Sequence, residues 1–142
     1  MAQTTDKIEK WASMFNRAIR DWLNHELRDF SDLNDSNYYY ILIVVETPGV
    51  SQRELIAAID REQSIVTKAV RHLVASGWLR IERDPSDRRK SAVYGTDKAM
   101  AQYPVIKDMA TRANYFATQG LTPTEGQELE RLLKKAIDGI QQ

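Results

Sequence analysis

Short polar and cationic side chains recur along one side of the segment that follows Arg61: Gln63, Ser64, Thr67, Lys68 and Arg71. A glutamine amide can bind adenine bidentately, and a threonine methyl can touch the methyl group of thymine. Lysine and arginine bind phosphates, which positions a protein on a duplex without identifying its sequence. We therefore expect base contacts from Gln63 and Thr67 and phosphate contacts from Lys68 and Arg71. The alternative is a helix whose polar face is only capped and solvated.

A second set of cations, Arg88-Arg89-Lys90, follows the sequence Asp84-Pro85-Ser86-Asp87. Proline fixes φ, and aspartate and serine bond to nearby backbone, so this sequence predicts a turn with the cations at or just past its tip. Arginines at such a tip can enter a minor groove, most favourably where A·T-rich sequence narrows it. We expect Arg88 and Arg89 to contact DNA, although solvated cations on an exposed hairpin are the alternative. Asp87 is grouped with them, although turn formation alone would explain it.

The apolar pattern predicts the elements that position both sets. Steps of three and four residues predict an amphipathic helix that Gly77 ends, since glycine tolerates positive φ. Its apolar positions are Ile65, Val66, Ala69, Val70, Leu73 and Val74. Apolar and charged residues alternate from Trp78 to Arg83, as in a half-buried strand, and Ser91 to Tyr94 can form the returning strand. A polar-faced helix followed by a hairpin with a cationic tip predicts a winged helix.

A shorter helix is predicted just upstream. Ser51 and Glu54 have capping-box spacing, and apolar side chains follow them at Leu55, Ile56 and Ile59. Asp60-Arg61 then makes a tight turn before the polar-faced helix. Two short helices joined in this way form a helix-turn-helix. Residues 35–96 are therefore predicted to be a winged helix-turn-helix domain.

Two helices are predicted before this domain's helix-turn-helix. The first runs from Thr5 to about Asp29, with Thr4 or Thr5 as its cap. Its apolar stripe is Ile8, Trp11, Phe15, Ala18, Ile19, Trp22, Leu23 and Leu27. The second, Tyr38 to Val45, has strong strand propensity. We predict a buried helix there, because Asn34 or Ser36 can cap it and Thr47-Pro48-Gly49 ends it. Its tyrosines are expected to pack in the core rather than line a cavity.

Two more amphipathic helices are predicted after the hairpin. Thr96 or Asp97 caps the first, Pro104 should kink it or delay its start, and Gly120 ends it. Thr122-Pro123-Thr124-Glu125 provides a cap, a first-turn proline and a returning glutamate for the second. The apolar stripe of the first helix is Met100, Tyr103, Ile106, Met109, Ala110, Ala113 and Phe116. That of the second helix is Leu129, Leu132, Leu133, Ala136, Ile137 and Ile140. Apolar helices at both chain ends favour a partner subunit over packing on the chain's own core.

Composition excludes several classes of protein. The chain has 142 residues and no cysteine, which removes disulfides and thiolate metal ligands. The longest apolar run, Tyr38 to Val45, is too short to span a bilayer, and the N-terminus lacks a signal-peptide pattern, so a cytoplasmic protein is expected. His25 and His72 lack further metal ligands at suitable spacing, so they are predicted to be structural or solvated. The sequence contains neither a glycine-rich phosphate loop nor Gly-x-Ser-x-Gly, and predicts neither an enzyme nor a cofactor.

Charge is balanced overall but unevenly distributed. The chain carries 20 Lys/Arg and 20 Asp/Glu, yet Lys68 to Lys90 contains seven cations and three acids. Phosphate affinity depends on local cations and on the counterions they displace, so a basic centre in a neutral protein can bind DNA. A winged helix that binds another protein through the same helix is the competing function.

These motifs resemble those of the multiple-antibiotic-resistance regulator (MarR) family of winged-helix repressors, over essentially the whole chain. The resemblance rests on the helix-turn-helix from Ser51 to Gly77, Gly77-Trp78-Leu79-Arg80, Asp84-Pro85-Ser86-Asp87-Arg88-Arg89 and Thr96-Asp97-Lys98. It implies a mainly α fold with a small β-hairpin wing, and a homodimer held by helices in residues 1–34 and 97–142. It also implies a pseudopalindromic duplex site and release by a small ligand, often an aromatic acid.

The resemblance also implies roles for single residues. Gln63, Ser64, Thr67 and Lys68 match the positions of the recognition helix that face the groove, and Arg71 a position that contacts phosphate. Arg89 matches the wing arginine that enters a minor groove, with Arg88 beside it, and Asp87 the acid that orients neighbouring arginines. Four positions depart from the family pattern. This chain has Gly95 where the family usually has Leu, and Ala99 where it usually has Gly. It has Asp60 where the family usually has Gly, and Arg61 where it usually has an apolar residue.

Overall fold

The computed structural model describes residues 6–141, apart from the side chains of Arg88 and Arg89. Within that range the chain forms six helices and one small antiparallel sheet. The helices are α1 (Ile8–Glu26), α2 (Tyr38–Glu46), α3 (Gln52–Ile59), α4 (Gln63–Ala75), α5 (Asp97–Ala117) and α6 (Pro123–Gln141). The strands are β1 (Val50–Ser51), β2 (Leu79–Asp84) and β3 (Asp87–Gly95), in the order β1-β3-β2. The predicted mainly α fold with a hairpin wing is confirmed.

Helix α2 runs through the centre of the core. Tyr40, Ile41, Leu42 and Val44 are buried, so the prediction of a buried helix in place of a strand is confirmed. Tyr40 packs in the core, whereas Tyr39 is about half exposed. Asn34 Oδ1 accepts bonds from the Ser36 and Asn37 backbone N–H groups and so orders the turn before α2. Residue Asn37 itself occupies the N-cap position, without a side-chain capping bond.

The helix-turn-helix forms as predicted. Ser51 Oγ accepts a 3.0 Å bond from the Glu54 backbone N–H and so caps α3. Asp60 ends α3 in the left-handed conformation, with φ of 60°. Aspartate tolerates this conformation better than most residues other than glycine, which explains how Asp60 replaces the family's glycine here.

The wing differs from the prediction in where its second strand begins. Pairing resumes at Asp87, opposite Asp84, and not at Ser91. The reason is local: Asp84 Oδ1 accepts bonds from the Ser86 N–H and hydroxyl, which limits the turn to Pro85 and Ser86. The three cations therefore belong to β3, just past the tip. The two-residue strand β1, which pairs with β3, was not predicted.

Gly95 and Ala99, two of the departures from the expected family pattern, lie next to each other. A Cβ atom added at Gly95 would lie 3.3 Å from the Ala99 methyl and 3.1 Å from Val45 Cγ2. The Ala99 methyl group, which a glycine would lack, therefore occupies part of the space that a side chain at residue 95 would need. Thr96 caps α5 by accepting a 3.3 Å bond from the Ala99 N–H, as predicted.

Helix α5 begins at Asp97 and continues through Pro104 to Ala117, so the expected late start is wrong. Trp22 of α1 stacks on Phe116 of α5 at 5.5 Å between ring centroids, and Arg112 of α5 pairs with Glu26 of α1. Helix α1 is shorter than predicted, and its proposed caps, Thr4 and Thr5, lie outside the described residues.

Helix α6 begins with the predicted reciprocal cap. The Thr122 N–H donates to Glu125 Oε1 at 2.9 Å, and the Glu125 N–H donates to Thr122 Oγ1 at 3.1 Å. No residue of α6 through Gln141 is buried within this chain. Among residues 6–141, no helix is long and apolar enough to cross a membrane.

Candidate nucleic-acid interface

Helix α4 buries one side and presents the other to solvent. Val66, Val70 and Leu73 are fully buried and pack in the core with Leu55 of α3. The predicted stripe is correct except at its last position, since Val74 is 37% exposed. Burial of these apolar side chains fixes the rotation of α4 about its axis. That rotation determines which side chains face outward.

The predicted DNA-contacting residues of α4 lie together on its outward side. They line one groove: Gln63, Ser64, Thr67, Lys68 and Arg71, together with Glu62. All are exposed except Thr67, which is half-buried. The groove therefore combines amide and hydroxyl groups with two cations. These are the groups that base edges and phosphates bind.

Thr67 makes a contact that no local sequence pattern indicates. Gln52, the first residue of α3, donates from Nε2 to Thr67 Oγ1 at 2.7 Å. The two residues are 15 positions apart, and the capping box at Ser51 identified only the start of α3. Gln52 is thus a residue of this interface that sequence analysis missed.

Side-chain contacts form at the tip of the wing and along its strands. Hydrogen bonds from the Ser86 hydroxyl and backbone lower the pKa of the Asp84 carboxyl. Arg80 of β2 lies over the Tyr94 ring of β3, at 4.5 Å from the ring centroid. Asp87 is half-buried opposite Asp84. Arg88 and Arg89 belong to β3, but their side chains lie outside the described part of the structure, so their predicted contacts stay predictions.

The far end of α4 is anchored to the rest of the domain. His72 Nε2 lies 3.0 Å from the backbone oxygen of Asp32. Lys98 of α5 donates to the Ser76 backbone oxygen at 3.1 Å and lies over the buried Trp78 ring at 4.3 Å. Among the described residues, no group of three or more histidines or carboxylates could hold a metal ion.

The fold is that of known transcription regulators. The sequence profile of the MarR family matches residues 31–90. Over 95% of this chain and 94% of the other, the structure superposes on the crystal structure of the transcriptional regulator SlyA, with a TM-score of 0.86 and 26% identity. In sequence the chain matches the MarR family over residues 31–90, and in fold it matches a transcriptional regulator over nearly its whole length. The proteins that it resembles are transcriptional regulators.

Other proteins are similar to this chain in sequence or in fold. An uncharacterised HTH-type transcriptional regulator of Bacillus subtilis, YybA, is 24% identical over 90% of this chain and 85% of its own length. A mutant MarR from E. coli, crystallised with operator DNA, has a TM-score of 0.81 and 22% identity over 91% and 92% of the two chains. Bordetella bronchiseptica BpsR, whose DNA binding is regulated by 6-hydroxynicotinic acid, has a TM-score of 0.85 and 20% identity over 97% and 98%.

Proposed function

We propose that this protein is a MarR-family homodimeric repressor that binds a specific pseudopalindromic duplex and is released from it by a small aromatic or other organic ligand. The observation that carries the proposal is the outward face of α4, where Gln63, Ser64, Thr67, Lys68 and Arg71 line one groove. The crystal structure of the E. coli MarR relative with operator DNA supports DNA as the partner.

We assign the DNA contacts by chemistry. Gln63 and Thr67 contact base edges in a major groove, with Ser64 beside them, and Lys68 and Arg71 hold phosphates. Arg88 and Arg89 extend from the start of β3 to an adjacent minor groove, and Asp87 orients them. Residues 35–96 form the DNA-binding domain, and residues 1–34 and 97–142 form the dimerisation region.

Dimerisation is supported by apolar side chains that remain exposed on the first and last helices. On α1, Ile8, Trp11 and Met14 are 64%, 58% and 44% exposed. On α6, Leu132, Leu133, Ile137 and Ile140 are between 46% and 82% exposed. A twofold mate that covered both sets would also place a second α4 and a second wing for the other half-site.

Ligand control is supported by the BpsR relative, whose DNA binding responds to 6-hydroxynicotinic acid. The ligand of this protein is to be sought among aromatic and other organic acids. Repression follows from the family resemblance.

Selection of bound fragments from the source genome tests the proposal directly. The protein is expected to enrich fragments that share an inverted repeat, and a screen of aromatic acids is then expected to yield a compound that releases them. Affinity for the enriched duplex should fall steeply with salt, because cations of the protein displace counterions from phosphates. Enrichment of no sequence, with binding insensitive to salt, would instead favour a winged helix that binds another protein.

The wing arginine provides a sharper test. Arg89→Ala is expected to weaken binding to the enriched duplex roughly ten- to a hundredfold, because a charged minor-groove contact is lost. A mobility-shift titration measures this change, and light scattering should show that the oligomeric state is unaltered. Unchanged affinity would remove the wing from the binding mechanism.

A further inference from the structure

We propose that Gln52 is a positioning residue for base recognition: it fixes the Thr67 hydroxyl as a hydrogen-bond donor toward the DNA. The inference rests on the proposed function, since it concerns how the α4 face distinguishes base pairs. Its basis is the 2.7 Å bond from Gln52 Nε2 to Thr67 Oγ1, which joins the first residue of α3 to the centre of the α4 groove.

Thr67 lacks a hydrogen bond that two threonines in and at the end of α5 make. The hydroxyls of Thr111 and Thr118 donate back to backbone oxygens four residues earlier, Lys107 at 3.1 Å and Asn114 at 2.7 Å. This back-bond is common for threonine in and at the end of helices. Within the described residues Thr67 makes no such bond to Gln63. Its oxygen instead accepts the bond from Gln52.

That bond determines what Thr67 can offer a duplex. A threonine hydroxyl has one hydrogen to donate and two lone pairs to accept with. A glutamine Nε2 only donates, so one lone pair of Thr67 is occupied and the hydroxyl hydrogen remains available. Thr67 is half-buried on the outward face of α4, so this hydrogen can be donated to a base edge in a DNA groove that receives α4. A donor at that position favours base edges that present acceptors, such as guanine N7 and O6, adenine N7 or thymine O4.

A purely structural role for Gln52 predicts something different. If the bond only ties α3 to α4, its loss should lower thermal stability and weaken binding to every duplex equally. If Gln52 positions Thr67, its loss should change the base preference at one position in each half-site. The two roles therefore separate in a measurement of sequence preference, and not in one of affinity alone.

The experiment is selection of duplexes from a random-sequence library by the full chain and its variants. The wild type, Thr67→Val, Gln52→Ala and the double variant are compared. Thr67→Val is expected to reduce the preference at one base position in each half-site about three- to tenfold, the effect of one hydrogen bond. Gln52→Ala is expected to reduce the preference at the same position. The double variant should lose no more than Thr67→Val alone.

Gln52→Glu tests the polarity of the bond while keeping the size of the side chain. An ionised carboxylate only accepts, so the Thr67 hydroxyl would donate to it and present a lone pair to the groove. The preference at that position is then expected to shift toward bases with an exocyclic amino group, adenine or cytosine. Thr111→Val, which removes a hydroxyl bonded within α5, serves as the control and should leave the preference unchanged.

Several results would overturn the proposal. One is an unaltered base preference in both Gln52→Ala and Gln52→Glu. Another is a loss of base preference in the double variant that equals the sum of the two single losses. The third is an affinity of Gln52→Ala that is lowered equally for every duplex. If the wild type itself enriches no sequence, the proposed function fails, and this inference fails with it. Thermal unfolding of each variant is measured first. Should Gln52→Ala unfold, Gln52→Glu decides the matter, because the positioning role requires a changed preference there.

Discussion

Single residues of the α4 face differ in what their loss should do. In the proposed complex, Gln63 and Thr67 contact base edges, whereas the exposed cations Lys68 and Arg71 contact phosphates. Specificity and affinity are therefore expected to be carried by different side chains of the same helix.

Lys68→Ala and Arg71→Ala should each weaken binding by a similar factor on the enriched duplex and on an unrelated one. Each should also lower the slope of log affinity against log salt by about one, because one phosphate contact and its released counterion are lost. Fluorescence anisotropy at several salt concentrations measures both quantities. Lys135→Ala, an exposed cation of α6, is the control and should leave the slope unaltered. A loss confined to the enriched duplex would show that these cations contact bases.

Core residues of α4 can be compared with an exposed neighbour. Leu73 is completely buried, whereas Val74 is 37% exposed. Leu73→Ala is expected to lower the free energy of unfolding by about 2–5 kcal/mol, since it leaves a cavity, and Val74→Ala by less than about 1 kcal/mol. Urea denaturation followed by circular dichroism measures the difference. Equal effects of the two substitutions would contradict the burial pattern of this helix.

At the scale of elements, helix α2 is tied to α5 by a polar cluster on the surface. Glu46 Oε2 accepts a 2.6 Å bond from the Tyr103 hydroxyl and a 3.1 Å bond from Lys107 Nζ. These two bonds, the tyrosine's first, lower the pKa of the Glu46 carboxyl below its ordinary value. The ion pair thus joins the predicted DNA-binding domain to the predicted dimerisation region.

The cluster predicts a dependence of stability on pH. A carboxyl whose pKa is lower in the folded state contributes stability above its ordinary pKa, near pH 4, and loses it as pH falls through the folded pKa. The thermal midpoint of the wild type should therefore fall on acidification through that window, and that of Glu46→Gln should fall less. Tyr103→Phe should give an intermediate profile. Identical pH profiles for Glu46→Gln and the wild type would exclude the cluster as a source of acid sensitivity.

Elements defined by neighbouring residues were predictable, and contacts between distant residues were not. The caps at Ser51, Thr96 and Thr122 involve groups three residues apart, so the sequence shows them directly. The start of β3 was misplaced because it depends on Asp84 accepting bonds from Ser86, which shortens the turn. The contact between Gln52 and Thr67 could not be predicted, because it forms only once α3 and α4 are packed together.

At the scale of the whole molecule, the apolar stripe of α6 lacks a partner within the chain. The sequence predicted this stripe correctly, but the folded chain buries none of it through Gln141. Leu133 lies in a cleft between α1, α5 and α6 that also includes Phe15 and Tyr115, whereas Ile140 is 82% exposed. Covering such an apolar surface lowers the free energy, and a second copy of the chain has the same surface to offer.

Ile137→Glu should therefore convert the proposed dimer to monomers, because a buried carboxylate without a partner is costly at an apolar interface. Lys135→Glu is the matched control: it introduces the same carboxylate about half a turn away on the same helix and should leave the dimer intact. Size-exclusion chromatography with light scattering measures the mass of each variant.

Deletion of residues 122–142 should likewise give monomers, while circular dichroism should show that the remaining domain is folded, since the core does not include α6. A dimer that survives both changes would place the twofold contact elsewhere. Because two half-sites must be bound at once, the monomeric variants should also lose most of their affinity for an inverted repeat but keep that for a single half-site.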